Sequence, residues 1–199
     1  MKKVNLFLGI AFLAFVAMSC GSSKETAQTQ PARQPMNLPC PDCVATAGGT
    51  FKYLGQTVAE SEYDVQEARI FAAQSARDEL QAMIETCVER AVKSFTQQHR
   101  ENADAKTISK RTIQALDIIK AKVKGTPVTC WDASPSTLTP GKISVYTCVE
   151  MDANMVYQEV VNTFSQDEEL KIDFREHQFK EEFDKAMEDY SSIKYNCFQ

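Results

Sequence analysis

Two cysteines that are three residues apart have a spacing that could support chemistry. Cys40 and Cys43, in the segment PCPDC, have the C-x-x-C spacing of redox pairs and of half zinc sites. A redox pair needs a helix N-terminus to lower the thiol pKa, and the following VATAGG does not begin a helix. A zinc site needs more ligands, and the chain has only His99 and His177. The spacing therefore favours structural disulfides over redox or metal chemistry, and we expect no metal site.

Four further cysteines follow this pair, and the six together allow three bridges in 15 connectivities. The six are Cys40, Cys43, Cys87, Cys130, Cys148 and Cys197. Cys87 falls on the buried side of a predicted helix, as a packed thiol or a bridge. Cys130 and Cys148 lie opposite each other if their hairpin is symmetric about Thr139. Opposed Cβ atoms are about 4.5–5.5 Å apart, longer than a disulfide prefers, so a bridge between them needs local distortion and is not implied. The candidate disulfide cysteines are Cys40, Cys43, Cys130 and Cys148.

The N-terminal segment has the layout of a secretory signal. Lys2 and Lys3 precede an apolar run of 15 residues, 4–18, which is too short to span a bilayer comfortably. The run ends in AMSC and looks like a bacterial lipobox, in which diacylglycerol is attached to Cys20 and residues 1–19 are removed. The alternative is an ordinary cleaved signal with a chance cysteine at its end. On the lipobox interpretation, Cys20 is the lipidation site, and its acyl chains hold the protein on a leaflet.

Composition divides the remaining chain into two parts. Residues 20–49 are rich in Ser, Thr, Gln, Pro and Gly, which predicts a lipidated N-terminus followed by a flexible tether. Residues 50–199 are long enough for one domain with its own core. Loss of Lys2 and Lys3 with the signal moves the formal charge from -5 to about -7, because two positive charges are removed. An acidic protein of this kind argues against nucleic acid as a partner.

Periodicity and turn residues predict an α+β fold, a small antiparallel sheet packed against one long and several shorter helices. In the long helix, small and apolar residues recur at three- and four-residue steps, among them Ala68, Phe71, Ala72, Ala76 and Leu80. The predicted order is a strand over 51–58, the long helix over 64–97, a shorter helix over 108–119, a hairpin of TPVTCWDA and KISVYTCVEMD, a helix over 154–164 and a closing helix with Phe179 and Phe183 on one buried face.

No pattern in the sequence predicts catalysis. A nucleophile elbow, a zinc-protease motif and a phosphate loop are all missing. His99 and His177 stand among charged and amide residues, which is typical of surface histidines. The adjacent pair Glu181 and Glu182 is best explained by a solvated helix face. We therefore expect a protein that is not an enzyme and that carries no cofactor.

Several of these segments resemble a known family. The lipobox, the segments AESEYDVQEARIFAAQSARDELQAMIE and KISVYTCVEMD, and the closing KIDFREHQFKEEFDKAMEDY look like the twenty-kilodalton bacterial lipoprotein family, whose domain is similar to the N-terminal domain of the flagellar outer-ring protein FlgT. The resemblance covers roughly residues 50–192, and its paired cysteines depart from the family pattern. It implies an envelope lipoprotein with no catalytic residues to carry over.

Two functions of different classes follow from the sequence. The first is a non-enzymatic interaction or structural module, anchored in the outer membrane through the diacylglycerol and the acyl chain on Cys20. It would face the periplasm and bind another envelope protein, and Gly21 in place of Asp favours the outer membrane over the inner one. The alternative is a cysteine-dependent redox or hydrolytic envelope protein that uses Cys40 and Cys43.

Overall fold

A computed structural model describes residues 39–44, 49–98, 104–168 and 174–196, with side chains as far as residue 189. Residues Asn37–Gln199 belong to one compact unit. Outside the described residues lie the predicted signal peptide, the lipidation site Cys20, the predicted tether up to residue 38, His99 and Cys197. Because residues 39–44 belong to the same unit as the sheet, the fold begins upstream of the domain boundary that composition placed at residue 50.

Three antiparallel strands form the sheet, β1 (Thr50–Ala59), β2 (Val128–Pro135) and β3 (Ile143–Asp152). The strand order is β1-β3-β2, so β3 is central and β2 is an edge strand. Cys130 is the register partner of Cys148, which places the centre of the hairpin at Thr139 as the sequence predicted. The register shifts by one residue between Val128 and Cys130.

Five helices accompany the sheet in the described part of the chain: α1 (Pro41–Val44), α2 (Val65–Gln98), α3 (Ala105–Lys124), α4 (Ala153–Ser165) and α5 (Glu176–Asn196). The side chain of Asp104 accepts a hydrogen bond from Lys106 N at the start of α3. Asp152 caps α4 in the same way, accepting from Asn154 N. These caps satisfy backbone donors that a helix start leaves free. The α+β prediction is confirmed.

Helix α2 lies directly on one face of the sheet. The alanines of its stripe are buried, with Ala72 and Ala76 fully covered, and they bring the helix backbone close to Gly55 of β1. A Cβ on Gly55 would lie 2.1 Å from Ala72 O and 2.9 Å from Ala76 Cβ. The small residues of the helix and the glycine of the strand therefore set the distance between the two elements.

Aromatic side chains fill the core between α2, α4 and α5. Phe179 and Phe183 are buried as predicted, with 0% and 1% of their surface exposed. Phe179 stacks on Tyr157, with ring centres 5.9 Å apart, and packs edge-on against Phe95 at 5.8 Å. Phe71 was predicted to lie on the buried stripe of α2, and this is wrong, because its side chain is 59% exposed.

Candidate functional site

The hairpin places two cysteines side by side on the face of the sheet that points away from α2. Val149 and Met151 of β3 belong to the core that α2 covers. Because successive side chains of a strand point to opposite faces, Cys148 lies on the other face. Cys130 of β2 is directly opposite Cys148 in the register, so both sulfur atoms are presented on the uncovered side.

Cys40, directly before α1, and Cys43, within α1, supply the other two sulfur atoms. Cys43 N donates to Cys40 O at 2.9 Å, and this single turn begins with Pro41, a residue that is favoured at the first helical position. The sequence predicted that VATAGG does not begin a helix, and α1 begins upstream of that segment, at Pro41. Cys40 and Cys43 therefore lie one turn apart.

Two disulfides join this turn to the hairpin. Cys40 is bonded to Cys130 with an S–S distance of 2.07 Å, and Cys43 is bonded to Cys148 at 2.00 Å. In both bridges the Cα atoms are 5.8 Å apart, within the usual range for a disulfide. Among the cysteines that the structure describes, the four that the sequence singled out are the four that form bridges. We call this arrangement the cysteine clasp, consisting of Cys40, Cys43, Cys130 and Cys148.

The clasp is packed as a small core of its own. Cys40, Cys43 and Cys148 expose 2–3% of their surface, and Leu54 of β1 packs against them. Cys130 is only partly buried. Lys52 Nζ donates to Asp42 O at 3.1 Å, so a polar contact also fastens α1 to the sheet. Cys130, on the edge strand, is therefore the most accessible cysteine of the clasp.

Cys40 has a backbone conformation that its side chain does not favour. Its φ is +48°, in the left-handed region that non-glycine residues seldom adopt. Such a conformation costs about 1–3 kcal/mol and persists only where the surroundings hold it in place. The bond to Cys130 and the packing of α1 on the sheet supply that restraint.

The clasp closes two long loops of the chain. The bonded cysteines are 90 and 105 residues apart in sequence, and a loop of about 100 residues corresponds to roughly 4.7 kcal/mol of stabilisation in the chain-entropy treatment. All four sulfur atoms are consumed by these bonds, so the clasp holds no free thiol and no metal-binding thiolate. In this state the clasp joins α1 covalently to the two hairpin strands.

Cys87 is a free thiol in the core, away from the clasp. Burial raises its pKa to about 12, so at neutral pH it is a protonated, unreactive side chain. Of the two readings that the sequence left open for this residue, the packed thiol is the correct one. Among the described residues no group of three or more potential ligands could hold a metal ion.

The charged residues that the sequence considered as acid/base candidates divide into two kinds. His177 is a surface residue, with Nε2 3.3 Å from Glu181 Oε1. Glu182, which was expected on a solvated face, is instead buried and accepts a hydrogen bond from Ser94 Oγ. The sequence missed this contact because α2 covers that side of α5.

A second surface feature lies where α2 passes the edge strand β2. The Arg69 guanidinium sits 4.6 Å from the centre of the Trp131 ring, and Arg77 donates two hydrogen bonds to Thr126 O. A groove of about 300 Å³ runs between these side chains. Ile70 lines it and is 69% exposed.

No family model, no curated protein and no solved structure matches this chain. The family resemblance drawn from the sequence stays a prediction. In the described part of the chain, no helix has both the length and the apolar character needed to cross a bilayer.

Proposed function

We propose that this chain is a lipid-anchored protein of the bacterial outer membrane that acts as a non-enzymatic interaction or structural module. The observation that carries the proposal is the cysteine clasp. Two disulfides are formed and kept in oxidising compartments and are rare in the cytosol. The clasp thus supports export of the chain, in agreement with the signal-like segment that ends at Cys20.

The position of the clasp also fits an anchored protein. Cys40 is 20 residues beyond the proposed lipidation site Cys20, and a chain of that length reaches at most about 70 Å when extended. The clasp fixes the domain end of this segment to the central and edge strands of the sheet. A pull on the tether is then borne by covalent bonds, and a partner can hold the domain without stripping the N-terminal turn from it.

Binding of another envelope protein is supported by the surface of α2. Tyr63, just before the helix, is 97% exposed, and Ile70 and Phe71 within α2 are 69% and 59% exposed. Contiguous exposed apolar patches mark interaction sites more often than scattered single residues do, and Ile70 and Phe71 are consecutive in the sequence. We place the partner contact on this side of the domain.

The alternative, a cysteine-dependent redox or hydrolytic enzyme, needs a free thiol or a reversible pair at Cys40 and Cys43. In the structure each of these cysteines is bonded to a strand cysteine. We therefore give the clasp a structural role in the proposed function. The proposed relationship to the twenty-kilodalton lipoproteins brings no catalytic residues to this chain, and the clasp departs from that family's pattern.

Replacement of the proposed anchor tests this function directly. We expect Cys20→Ala to move the protein from the membrane fraction to the soluble fraction and to remove the mass of the diacylglycerol and acyl chains. Cys87→Ala is the matched control, because Cys87 lies in the core and carries no lipid in the proposal; it should fractionate like the wild type. A Cys20→Ala protein that stays on membranes through salt and carbonate washing would contradict the anchor.

A further inference from the structure

We infer that the Cys40–Cys130 disulfide is a reducible site that takes a dithiol, and that its reduction passes on to Cys43–Cys148, so that one dithiol molecule releases α1 from the sheet. This inference concerns the clasp alone. It stands whether or not Cys20 is lipidated.

The two bridges differ in how an external thiolate can reach them. Exchange requires direct attack on a sulfur atom, so its rate depends on access. Cys130 lies on the edge strand and is partly buried, whereas Cys43 and Cys148 are 3% and 2% exposed. The bridge to Cys40 therefore contains the more exposed residue, and we take Cys130 as the point of attack.

The backbone of Cys40 favours opening of the same bridge. The residue is held at a φ of +48°, and this conformation is retained only while its surroundings impose it. Once the bond to Cys130 is broken, one of those restraints is gone and Cys40 can return to an ordinary conformation. Cys43, Cys130 and Cys148 are not among the described residues with a positive φ.

The first step is a two-electron reduction by the dithiol. One of its thiolates attacks Cys130 Sγ, forms a mixed disulfide and expels the Cys40 thiolate, which takes up a proton. The second thiol of the reductant, after losing its proton, attacks the reductant sulfur of the mixed disulfide. A cyclic disulfide leaves, and Cys130 becomes a thiol. The dithiol has then lost two electrons and two protons, and Cys40 and Cys130 have gained them.

The second step is an exchange inside the clasp that needs no further electrons. The Cys40 thiol loses its proton and the resulting thiolate attacks Cys43 Sγ. The Cys43–Cys148 bond breaks, and Cys148 leaves as a thiolate that takes up a proton in exchange. The Cys43 N to Cys40 O hydrogen bond of 2.9 Å closes a turn whose end Cα atoms lie within about 7 Å. A Cys40–Cys43 bridge fits that spacing.

The product has α1 closed on itself and two thiols facing each other on the hairpin. Cys130 and Cys148 are register partners, and no covalent bond then joins α1 to the sheet. The non-covalent contacts that remain are the exposed hydrogen bond from Lys52 to Asp42 O and the packing of Leu54 near the cysteines, and we infer that they do not keep α1 on the sheet once the disulfides are gone. Cys87 takes no part, since it is on the buried face of α2, away from the clasp, and its pKa is raised to about 12.

Partial reduction of the full chain tests the inference. The oxidised protein is treated under native conditions with dithiothreitol, alkylated in the native state, and digested with trypsin without further reduction. We expect Cys130 and Cys148 to be alkylated, and Cys40 and Cys43 to be joined within one tryptic peptide, 34–52. A protein in which Cys40 and Cys130 are alkylated while Cys43 stays bonded to Cys148 would overturn the internal exchange, and so would alkylation of all four cysteines together.

Paired variants test which bridge opens first. Cys43→Ala with Cys148→Ala leaves the accessible bridge, and Cys40→Ala with Cys130→Ala leaves the buried one. We expect the accessible bridge to be reduced at least about tenfold faster than the buried one, since attack depends on access. Equal rates, or faster reduction of the buried bridge, would overturn the assignment. If a variant does not melt cooperatively, the order in which Cys130 and Cys148 first become alkylatable in the wild type decides the point, and Cys148 before Cys130 would overturn the assignment.

Discussion

Helix α2 packs so close to β1 that a single methyl group added at Gly55 should destabilise the fold. Gly55 of β1 faces α2, and a Cβ at this position would lie 2.1 Å from Ala72 O and 2.9 Å from both Ala76 N and Ala76 Cβ. Two of these three atoms are helix backbone, so no side-chain rotation can relieve the clash. Gly55→Ala must therefore push α2 away from β1 or distort the strand.

The expected cost is at the upper end of what overpacking produces. Overfilled cores lose about 1–3 kcal/mol, and sometimes more, and we expect about 3 kcal/mol here because the backbone has to move. For a domain of this size, each kcal/mol lowers the melting temperature by about 2–4 °C. Gly55→Ala should thus melt roughly 6–12 °C below the wild type when the oxidised full chain is heated and followed by circular dichroism.

Gly125→Ala is the matched control. Gly125 ends α3 with a φ of -91°, and the nearest atom to an added Cβ is Lys122 O at 3.5 Å, which is an ordinary contact. An alanine in a compatible conformation is neutral or stabilising by less than about 1 kcal/mol. A Gly55→Ala protein that melts within 2 °C of this control would refute the close packing of α2 on β1.

Three further predictions rest on burial. Phe183→Ala should lower the free energy of unfolding by about 3–5 kcal/mol, because the ring is 1% exposed. Phe71→Ala, at an exposed ring, should change the free energy of unfolding by less than about 0.5 kcal/mol. Equal melting temperatures of the two variants would contradict the burial of Phe183 in the core. Burial, reinforced by the Glu176 carboxylate, raises the pKa of Tyr157 to about 12, so its neutral form stabilises the fold below about pH 10. That contribution should fall as pH rises from 10 towards 12, and urea titrations of Tyr157→Phe should show a shallower decline; an identical decline would contradict it. Cys87 should resist iodoacetamide at pH 8 in the folded protein and react in urea, and rapid labelling of the native protein would show that the thiol is not buried.

The hairpin shows what the sequence could predict. Turn residues and strand patterns predict the two strands and their connection, and they set Cys130 opposite Cys148 on the condition that the hairpin is symmetric about Thr139, which the register meets. The partners of these cysteines could not be derived in the same way, because Cys40 is 90 residues away from Cys130 and connectivity does not follow from spacing. The helix α1, which follows Cys40 and contains Cys43, is only four residues long, too short to show a helical period.

The errors along the helices have a common cause. The periodicity places Phe71 on the buried stripe of α2 because it lies three residues after Ala68. The sheet, however, covers a narrower part of the helix surface than the apolar residues span, and Phe71 lies outside that part. Glu182 was assigned to solvent because it adjoins another glutamate. Its burial against Ser94 depends on how α5 packs against α2, and periodicity within one helix does not contain that information.

Disulfide mapping of the isolated full chain is the most direct test of the clasp. Trypsin cuts after Arg33, Lys52, Lys124, Lys142 and Lys171, so without reduction the clasp should yield one species in which peptides 34–52, 125–142 and 143–171 are joined by two disulfides. A free peptide 34–52 with an internal Cys40–Cys43 bridge, together with a pair of peptides joined through Cys130 and Cys148, would contradict it.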